Sequence, residues 1–248
     1  MSPELTTEGV RLVERAQAAS LPLRLFGGVA IWSRSSAETR AALGREYADI
    51  DLVAHRKGSR ELRTLLEAES YVPERTFNAT HGATRLLYHA PDASFHIDVF
   101  LDRFEMSHTL DFEPRLELEP VTLTAADLLM AKLQVAEINA KDLSDTAMLL
   151  LDHAPAASDG VGQCNLAHIA QMCAGDWGLF TTFNDNLEKL TAILPSLPLD
   201  PSGRERVGDR AGELHERMVQ APKTRGWKRR DRVGRRKRWY EVPEEVTR

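Results

Sequence analysis

The sequence lacks the long apolar stretches that a membrane helix requires. No run approaches the ~18–20 apolar residues that cross a bilayer. The opening segment, MSPELTTEGVRLVERAQ, is acidic and amphipathic, and it has neither the basic start nor the apolar core of a secretory signal. We therefore expect a cytoplasmic protein that does not enter a membrane.

Cysteine and the common catalytic motifs are also scarce. The two cysteines, Cys164 and Cys173, fall in a region with helical spacing, so we expect buried free thiols rather than a disulfide or a metal pair. The eight histidines follow no zinc-binding spacing. No P-loop, G-x-S-x-G or G-x-G-x-x-G motif occurs, which removes the main support for a P-loop, hydrolase or dinucleotide-binding protein.

Charge is plentiful but unevenly distributed. The net charge of −5 combines a basic segment, residues 221–248, with an acidic remainder. The segment holds 11 Lys or Arg and 4 Asp or Glu, whereas residues 1–220 hold 21 and 33. A basic end on an acidic body favours a phosphate-rich polymer as the partner. The alternative is a tail that pairs with its own acidic body or with a partner protein.

Hydrophobic periodicity predicts an α+β protein whose two halves differ in secondary structure. Up to about residue 122, short apolar or alternating runs predict strands between amphipathic helices, and after that the pattern is helical. The predicted strands lie at 21–26, 48–55, 83–90, 94–102 and 115–123.

The predicted helices set the domain organisation. A helix is expected to begin at Gly27, a second over 58–70 with Ser59 as its N-cap, and one long helix over 124–153. Further helices are expected up to about residue 220. The predicted parts are a mixed domain over 1–122, a helical domain over 123–220 and a basic C-terminal tail over 221–248.

Three aspartates fall at matching positions in two predicted strands. In ADIDLVAH, Asp49 and Asp51 share one face of the strand and the apolar residues share the other. In FHIDVF, Asp98 shares a face with His96. If the two strands are neighbours, three carboxylates converge, and like charges at that distance disfavour full ionisation. A hard divalent cation removes the difficulty, and oxygen ligands suit Mg²⁺.

Two glycines, Gly27 and Gly28, end the apolar run that precedes these strands. Without a Cβ, they let backbone N–H groups approach an anion, and the helix that follows directs its positive end toward it. The glycines would then hold phosphates, and the aspartates would hold the metal that those phosphates need. The structural alternative is a glycine turn beside a surface strand with solvated aspartates.

The ordered set FGGVAIW, REYADIDLV and FHIDVF resembles the nucleotidyltransferase superfamily that shares the DNA polymerase beta palm. The resemblance implies a palm of mixed sheet and flanking helices, followed by a helical domain. It implies that Asp49, Asp51 and Asp98 are catalytic and bind two Mg²⁺ ions, with Asp98 helping to deprotonate the acceptor hydroxyl. The same resemblance implies that Gly27 and Gly28 contact the triphosphate.

One position departs from the pattern of that superfamily. Many members carry Arg-x-Thr-x-D-x-D, in which the Thr supports the site without binding the metal. Here Arg45 matches the Arg, and Tyr47 stands in the position of the Thr.

The segment DLLMAKLQVAEINAKDLSDTAMLL resembles the Lys motif and the Lys-Asp-x-x-Asp motif of AbiEii-like toxins of type IV toxin–antitoxin systems, and of related small stand-alone nucleotidyltransferases. The resemblance implies that Lys132 meets nucleotide phosphates and that Lys141, Asp142 and Asp145 line the cleft. Two structural alternatives stay open. Lys132 can snorkel out of a mostly buried helix, and the other three can be a local pairing along a helix.

The expected activity is Mg²⁺-dependent transfer of a nucleoside monophosphate from an NTP such as ATP to an acceptor hydroxyl, with release of pyrophosphate. The acceptor expected first is an RNA 3′ end, a tRNA in a toxin-like context with a cognate antitoxin as partner. The enzyme alternative is an antibiotic adenylyltransferase of the aminoglycoside type, because a cationic substrate would suit the acidic body. The alternative from another class is a catalytically inactive nucleotide-binding partner protein.

The basic tail interleaves aromatic and cationic residues. Such a combination can hold single-stranded RNA by stacking and charge. The RNA-binding candidates are Trp227, Arg229, Arg230, Arg235, Arg236 and Arg238.

Overall fold

The computed structural model describes residues 2–242, so residues 243–248 of the predicted tail lie outside the described residues. The chain has an α+β fold in which a mixed sheet is flanked by helices. Its contacts divide the described residues into two units. Unit 1 comprises residues 2–34, 45–104 and 110–124, and unit 2 comprises residues 35–44, 105–109 and 125–242.

Eleven α-helices and nine strands are the main elements of residues 2–242, beside four short 3-10 helices. The helices are α1 (Ser2–Ala18), α2 (Gly27–Arg34), α3 (Ala37–Leu43), α4 (Ser59–Ala68), α5 (Arg75–His81), α6 (Ala125–Leu133), α7 (Ala140–Asp152), α8 (Leu166–Gly175), α9 (Trp177–Ile193), α10 (Pro201–Gln220) and α11 (Arg225–Val233). The strands are β1 (Leu23–Phe26), β2 (Asp49–Ala54), β3 (Val72–Pro73), β4 (Arg85–His89), β5 (His96–Leu101), β6 (Arg103–Glu105), β7 (Thr109–Asp111), β8 (Ala154–Ala156) and β9 (Gln163–Asn165).

Unit 1 is built on a five-stranded sheet of order β1-β2-β5-β4-β3. Strand β2 runs parallel to β5, and the other neighbouring pairs are antiparallel. Helices α1 and α2 pack against β1 and β2, and α5 packs against β4. Ile50, Leu52, Ile97 and Val99 are fully buried, and removal of this apolar surface from water stabilises the pairing of β2 with β5.

Four of the five predicted strands are confirmed as β1, β2, β4 and β5. The strand predicted over 115–123 is wrong, since only Thr122 in that stretch forms a bridge, to Leu25. Pro120 lies inside the run and has no N–H to donate, which disfavours a longer ladder. The expected N-cap of α4 is also wrong, because Gly58 occupies that position and Ser59 is the first helical residue.

Unit 2 is mainly helical. Helix α10 packs against α7, α8 and α9, and Met148, Ile169, Phe183 and Leu214 are fully buried among these helices. Both cysteines are buried thiols, as predicted, and burial raises the pKa of the Cys173 thiol. Within residues 2–242, no helix combines the length and the apolar character needed to cross a membrane.

The single helix predicted over 124–153 is wrong, because the chain forms α6 and α7 with a break between them. The break is held by tertiary hydrogen bonds. Asn186 Nδ2, fully buried on α9, donates to the carbonyls of Leu133 and Val135, each at 2.8 Å. Asn139 then caps α7 by accepting from two backbone N–H groups. No Gly or Pro marks this break in the sequence.

Replacing Asn186 by Ala is expected to lower the free energy of unfolding by about 1–3 kcal/mol, because two carbonyls lose their buried donor. Urea unfolding followed by circular dichroism measures the change. The matched control is Asn184→Ala, whose side chain donates to Glu188 on the same helix and whose loss we expect to cost under about 0.5 kcal/mol. Equal costs for the two variants would contradict the assignment.

Candidate active site

The register of β2 and β5 brings two of the predicted aspartates together. Asp51 lies directly opposite Asp98, and Asp49 lies opposite His96. Because side chains alternate along a strand, Asp49 and Asp51 share a face of β2. The two strands are neighbours, as the predicted convergence of the three carboxylates requires.

Asp98 is held by Arg85, a residue that is not among the predicted site residues. Its side chain is buried, and its two carboxylate oxygens accept from Arg85 on β4, from Nε at 2.7 Å and also from Nη2. The Arg85 guanidinium lies 4.8 Å from the centre of the Phe100 ring. Strand alternation gives the signal that could have found it, since Arg85 stands two residues from Leu87, the residue of β4 opposite Asp98.

The charge balance around Arg85 favours its cationic form. Burial alone would lower the pKa of this guanidinium, but the hydrogen bonds and the charge of Asp98, together with the charge of Asp51, outweigh burial and raise the pKa. Each Asp98 oxygen has a second lone pair, so the bidentate pairing leaves acceptor capacity on this carboxylate.

The carboxylates of β2 are less buried than Asp98. The Asp49 side chain is 29% exposed, and its Oδ2 lies 3.5 Å from Nε2 of His96. Within residues 2–242, no group of three or more His, Cys, Asp or Glu side chains is gathered as a ready metal site. The donor set itself suits a hard cation, since Asp49, Asp51 and Asp98 offer only oxygen atoms from adjacent strands.

Gly27 approaches Asp51 of β2 closely, and Gly28 approaches Tyr47, the residue two positions before that strand. Gly27 has a φ of +63°, which side-chain-bearing residues rarely adopt, and a Cβ there would lie closer than 3.0 Å to the Asp51 carboxylate. A Cβ on Gly28 would lie equally close to the Tyr47 ring. The glycine pair, Asp51 and Tyr47 are thus parts of one packed arrangement.

Tyr47 is a buried packing residue. It is 3% exposed, and the Arg45 guanidinium stacks 4.0 Å from the centre of its ring. Its ring also meets Trp32 of α2 edge-on at 6.2 Å. Tyr47 therefore fixes the start of α2, and Gly28 leaves the space that the ring needs.

The Lys motif and the Lys-Asp-x-x-Asp motif meet in unit 2. Lys132 Nζ on α6 lies 2.8 Å from Asp142 Oδ1 and 2.9 Å from Asp145 Oδ2, both on α7. The Lys132 side chain is 13% exposed and that of Asp145 is fully buried. Burial would lower the pKa of Lys132, but the charges of Asp145 and Asp142 and their hydrogen bonds raise it.

Lys141 is not part of this triad of Lys132, Asp142 and Asp145. Its side chain is exposed at the start of α7, and its backbone N–H donates to the Asn139 cap. The triad joins two helices within unit 2, and its geometry is that of a structural ion cluster.

Three of the tail candidates make contacts within unit 2. Trp227 meets Phe180 edge-on at 5.5 Å, Arg230 donates to the carbonyls of Gly234 and Lys237, and Arg235 pairs with Asp185. Among the other tail candidates, Arg229 and Arg236 are exposed, and Arg238 lies 5.9 Å from the centre of the Tyr240 ring.

Comparison with known proteins does not assign the chain to a family. The chain matches no family model, and no curated protein matches it.

Gly28→Ala tests the packing of the glycine pair. We expect a loss of about 1–3 kcal/mol in the free energy of unfolding, because the added methyl group meets the Tyr47 ring. In the background of Tyr47→Thr the same substitution should cost less than about 0.5 kcal/mol, since the ring is gone. A double-mutant cycle by urea unfolding measures the coupling, and zero coupling would refute the contact.

Lys132→Met tests the triad in unit 2. Removal of the cation takes away the positive charge that two buried or half-buried carboxylates share, so we expect a loss of about 3–5 kcal/mol in the free energy of unfolding. Lys132→Met combined with Asp142→Asn and Asp145→Asn should recover much of this loss. The control is Lys141→Met, an exposed change expected to stay within about 0.5 kcal/mol; a similar small effect at both lysines would reject the structural role.

Proposed function

We propose that the protein is a Mg²⁺-dependent nucleotidyltransferase that moves a nucleoside monophosphate from an NTP to the 3′ hydroxyl of an RNA. The observation that carries the proposal is the register of β2 and β5, in which Asp51 lies opposite Asp98 beside a helix that begins at Gly27. A toxin-like context and a cognate antitoxin follow from the sequence resemblance alone.

Asp49 and Asp51 are the residues that would hold the metal, with Asp98 as a third oxygen donor. When bound, Mg²⁺ would neutralise the triphosphate and draw charge from the reacting phosphorus. Gly27 and Gly28 would place backbone N–H groups near the phosphates, at the positive end of α2.

The transfer step balances without a further co-reactant. The acceptor oxygen forms a bond to the α-phosphorus while the bond from that phosphorus to the pyrophosphate oxygen breaks. The hydroxyl proton passes to a carboxylate of the Asp49, Asp51 and Asp98 set. Arg85 acts as a positioning residue, because its two hydrogen bonds fix the Asp98 side chain.

The acceptor is assigned to RNA because of the basic tail. Residues 221–248 carry 11 Lys or Arg against 4 Asp or Glu, a balance that attracts phosphates. The acidic remainder of the chain favours instead a cationic acceptor such as an aminoglycoside, which makes antibiotic adenylylation the second candidate.

The decisive experiment incubates the purified protein with each α-³²P-labelled NTP and Mg²⁺, together with either total cellular RNA or an aminoglycoside. Label is expected in RNA, and its transfer should stop when EDTA is added. Label in the aminoglycoside alone would replace the acceptor, and no transfer to either would support the inactive nucleotide-binding alternative.

The double variant Asp49→Asn/Asp51→Asn is expected to lower the transfer rate by at least about 10³-fold, since it removes the negative charge that holds the metal. The circular dichroism spectrum should be unchanged. Asp111→Asn, an exposed carboxylate of the same unit, is the matched control and should keep its rate. Transfer that survives in the double variant would remove these residues from the chemistry.

A further inference from the structure

The helix α11 carries a row of basic side chains on one side. Arg225, Lys228, Arg229 and Arg232 recur at intervals of three and four residues, which places them together on the helix surface. All four are exposed, and none forms a hydrogen bond or ion pair through its side chain with any residue of the described part of the chain. We call these four residues the basic row.

The opposite side of α11 is docked on α8 and α9. Asp231 accepts from Trp177 Nε1 at 2.7 Å, Arg230 lies 4.6 Å from the centre of the Trp177 ring, and Trp227 packs on Phe180. The backbone N–H of Thr224 donates to Ala174 O at 3.1 Å. The helix is therefore oriented by its own unit, and its orientation leaves the basic row outward.

The segment after α11 is anchored in the same way. Arg235 pairs with Asp185, and Trp239 donates from Nε1 to Thr182 at 3.0 Å while its ring meets Trp177 edge-on. Both tail tryptophans are thus engaged within unit 2. The side chains that α11 presents to solvent are therefore mainly cationic and not aromatic.

We infer that the basic row is a docking surface for the sugar-phosphate backbone of RNA. Guanidinium groups match phosphate oxygens in a bidentate fashion, and four cations spaced along about 10 Å of helix can follow consecutive phosphates. With the tryptophans docked, the row reads charge and not base identity, so binding is independent of sequence and strongly dependent on salt.

A lipid surface fits the row less well. Amphipathic helices bind membranes by inserting an apolar face, and the aromatic face of α11 is already packed on α9. A second copy of the acidic chain is the remaining partner of suitable charge, and it enters the test as an outcome. The choice of RNA as the polyanion rests on the proposed function, whereas the binding measurement requires no catalysis.

The test uses the full chain and a fluorescein-labelled 20-nucleotide single-stranded RNA of mixed sequence, in EDTA and without NTP. Fluorescence anisotropy gives the Kd between 50 and 200 mM KCl. The variant Lys228→Gln/Arg229→Gln/Arg232→Gln is expected to weaken binding more than about tenfold. It should also flatten the slope of log K against log [KCl] by about 2, at about 0.7 per phosphate contact.

The matched control removes three exposed cations of unit 1, Lys57→Gln/Arg60→Gln/Arg75→Gln. It changes the net charge equally and should change the Kd less than about threefold. Equal weakening in both triple variants would overturn the inference in favour of general electrostatics. Sedimentation velocity supplies the other outcome, since a dimer that dissociates only in the α11 variant, with RNA affinity unchanged, would assign the row to a second copy.

The inference and the proposed function can fail separately. RNA binding that depends on the basic row, without any label transfer, would retain the docking surface and reject the enzyme. Label transfer to RNA at an unchanged KM in the α11 variant would retain the enzyme and reject the docking surface.

Discussion

The parallel pairing of β2 with β5 is the constraint on which the candidate site depends. A shift of the register by one residue would move the aspartates of the shifted strand to the other face of the sheet. Burial of Ile50, Leu52, Ile97 and Val99 opposes such a shift, so the apolar side of the two strands fixes the position of the carboxylates on the other side. The same apolar burial thus stabilises the sheet of unit 1 and positions the three carboxylates.

Arg85 shows how this arrangement tolerates a buried carboxylate. Asp98 is nearly inaccessible to water, and an isolated charge there would be costly. The guanidinium supplies two hydrogen bonds and an opposite charge, while its own burial is offset by the same contacts. Tyr47 imposes a different constraint. Its ring occupies the volume that a side chain at position 28 would take, so that position requires glycine.

The sequence was sufficient to predict those features that depend on local periodicity. Alternation placed Asp49 and Asp51 together, short apolar or alternating runs located four strands of the sheet, and helical spacing located most helices of unit 2. The order of the strands, the pairing of Arg85 with Asp98 and the break between α6 and α7 depend on residues distant in sequence. Asn186 is the clearest case, since a side chain on α9 satisfies carbonyls more than fifty residues earlier. The triad of Lys132, Asp142 and Asp145 was found as two motifs, and only the packing of α6 on α7 brought them together.

The docking of the tail on α9 has a practical consequence for experiments on this chain. Trp177 and Phe180 are covered by Trp239 and Trp227, so a protein shortened before α11 would present a fresh aromatic surface to solvent. Such a truncated form is prone to self-association, and a loss of activity in it would report on solubility as much as on charge. Point substitutions in the basic row leave these aromatic contacts intact.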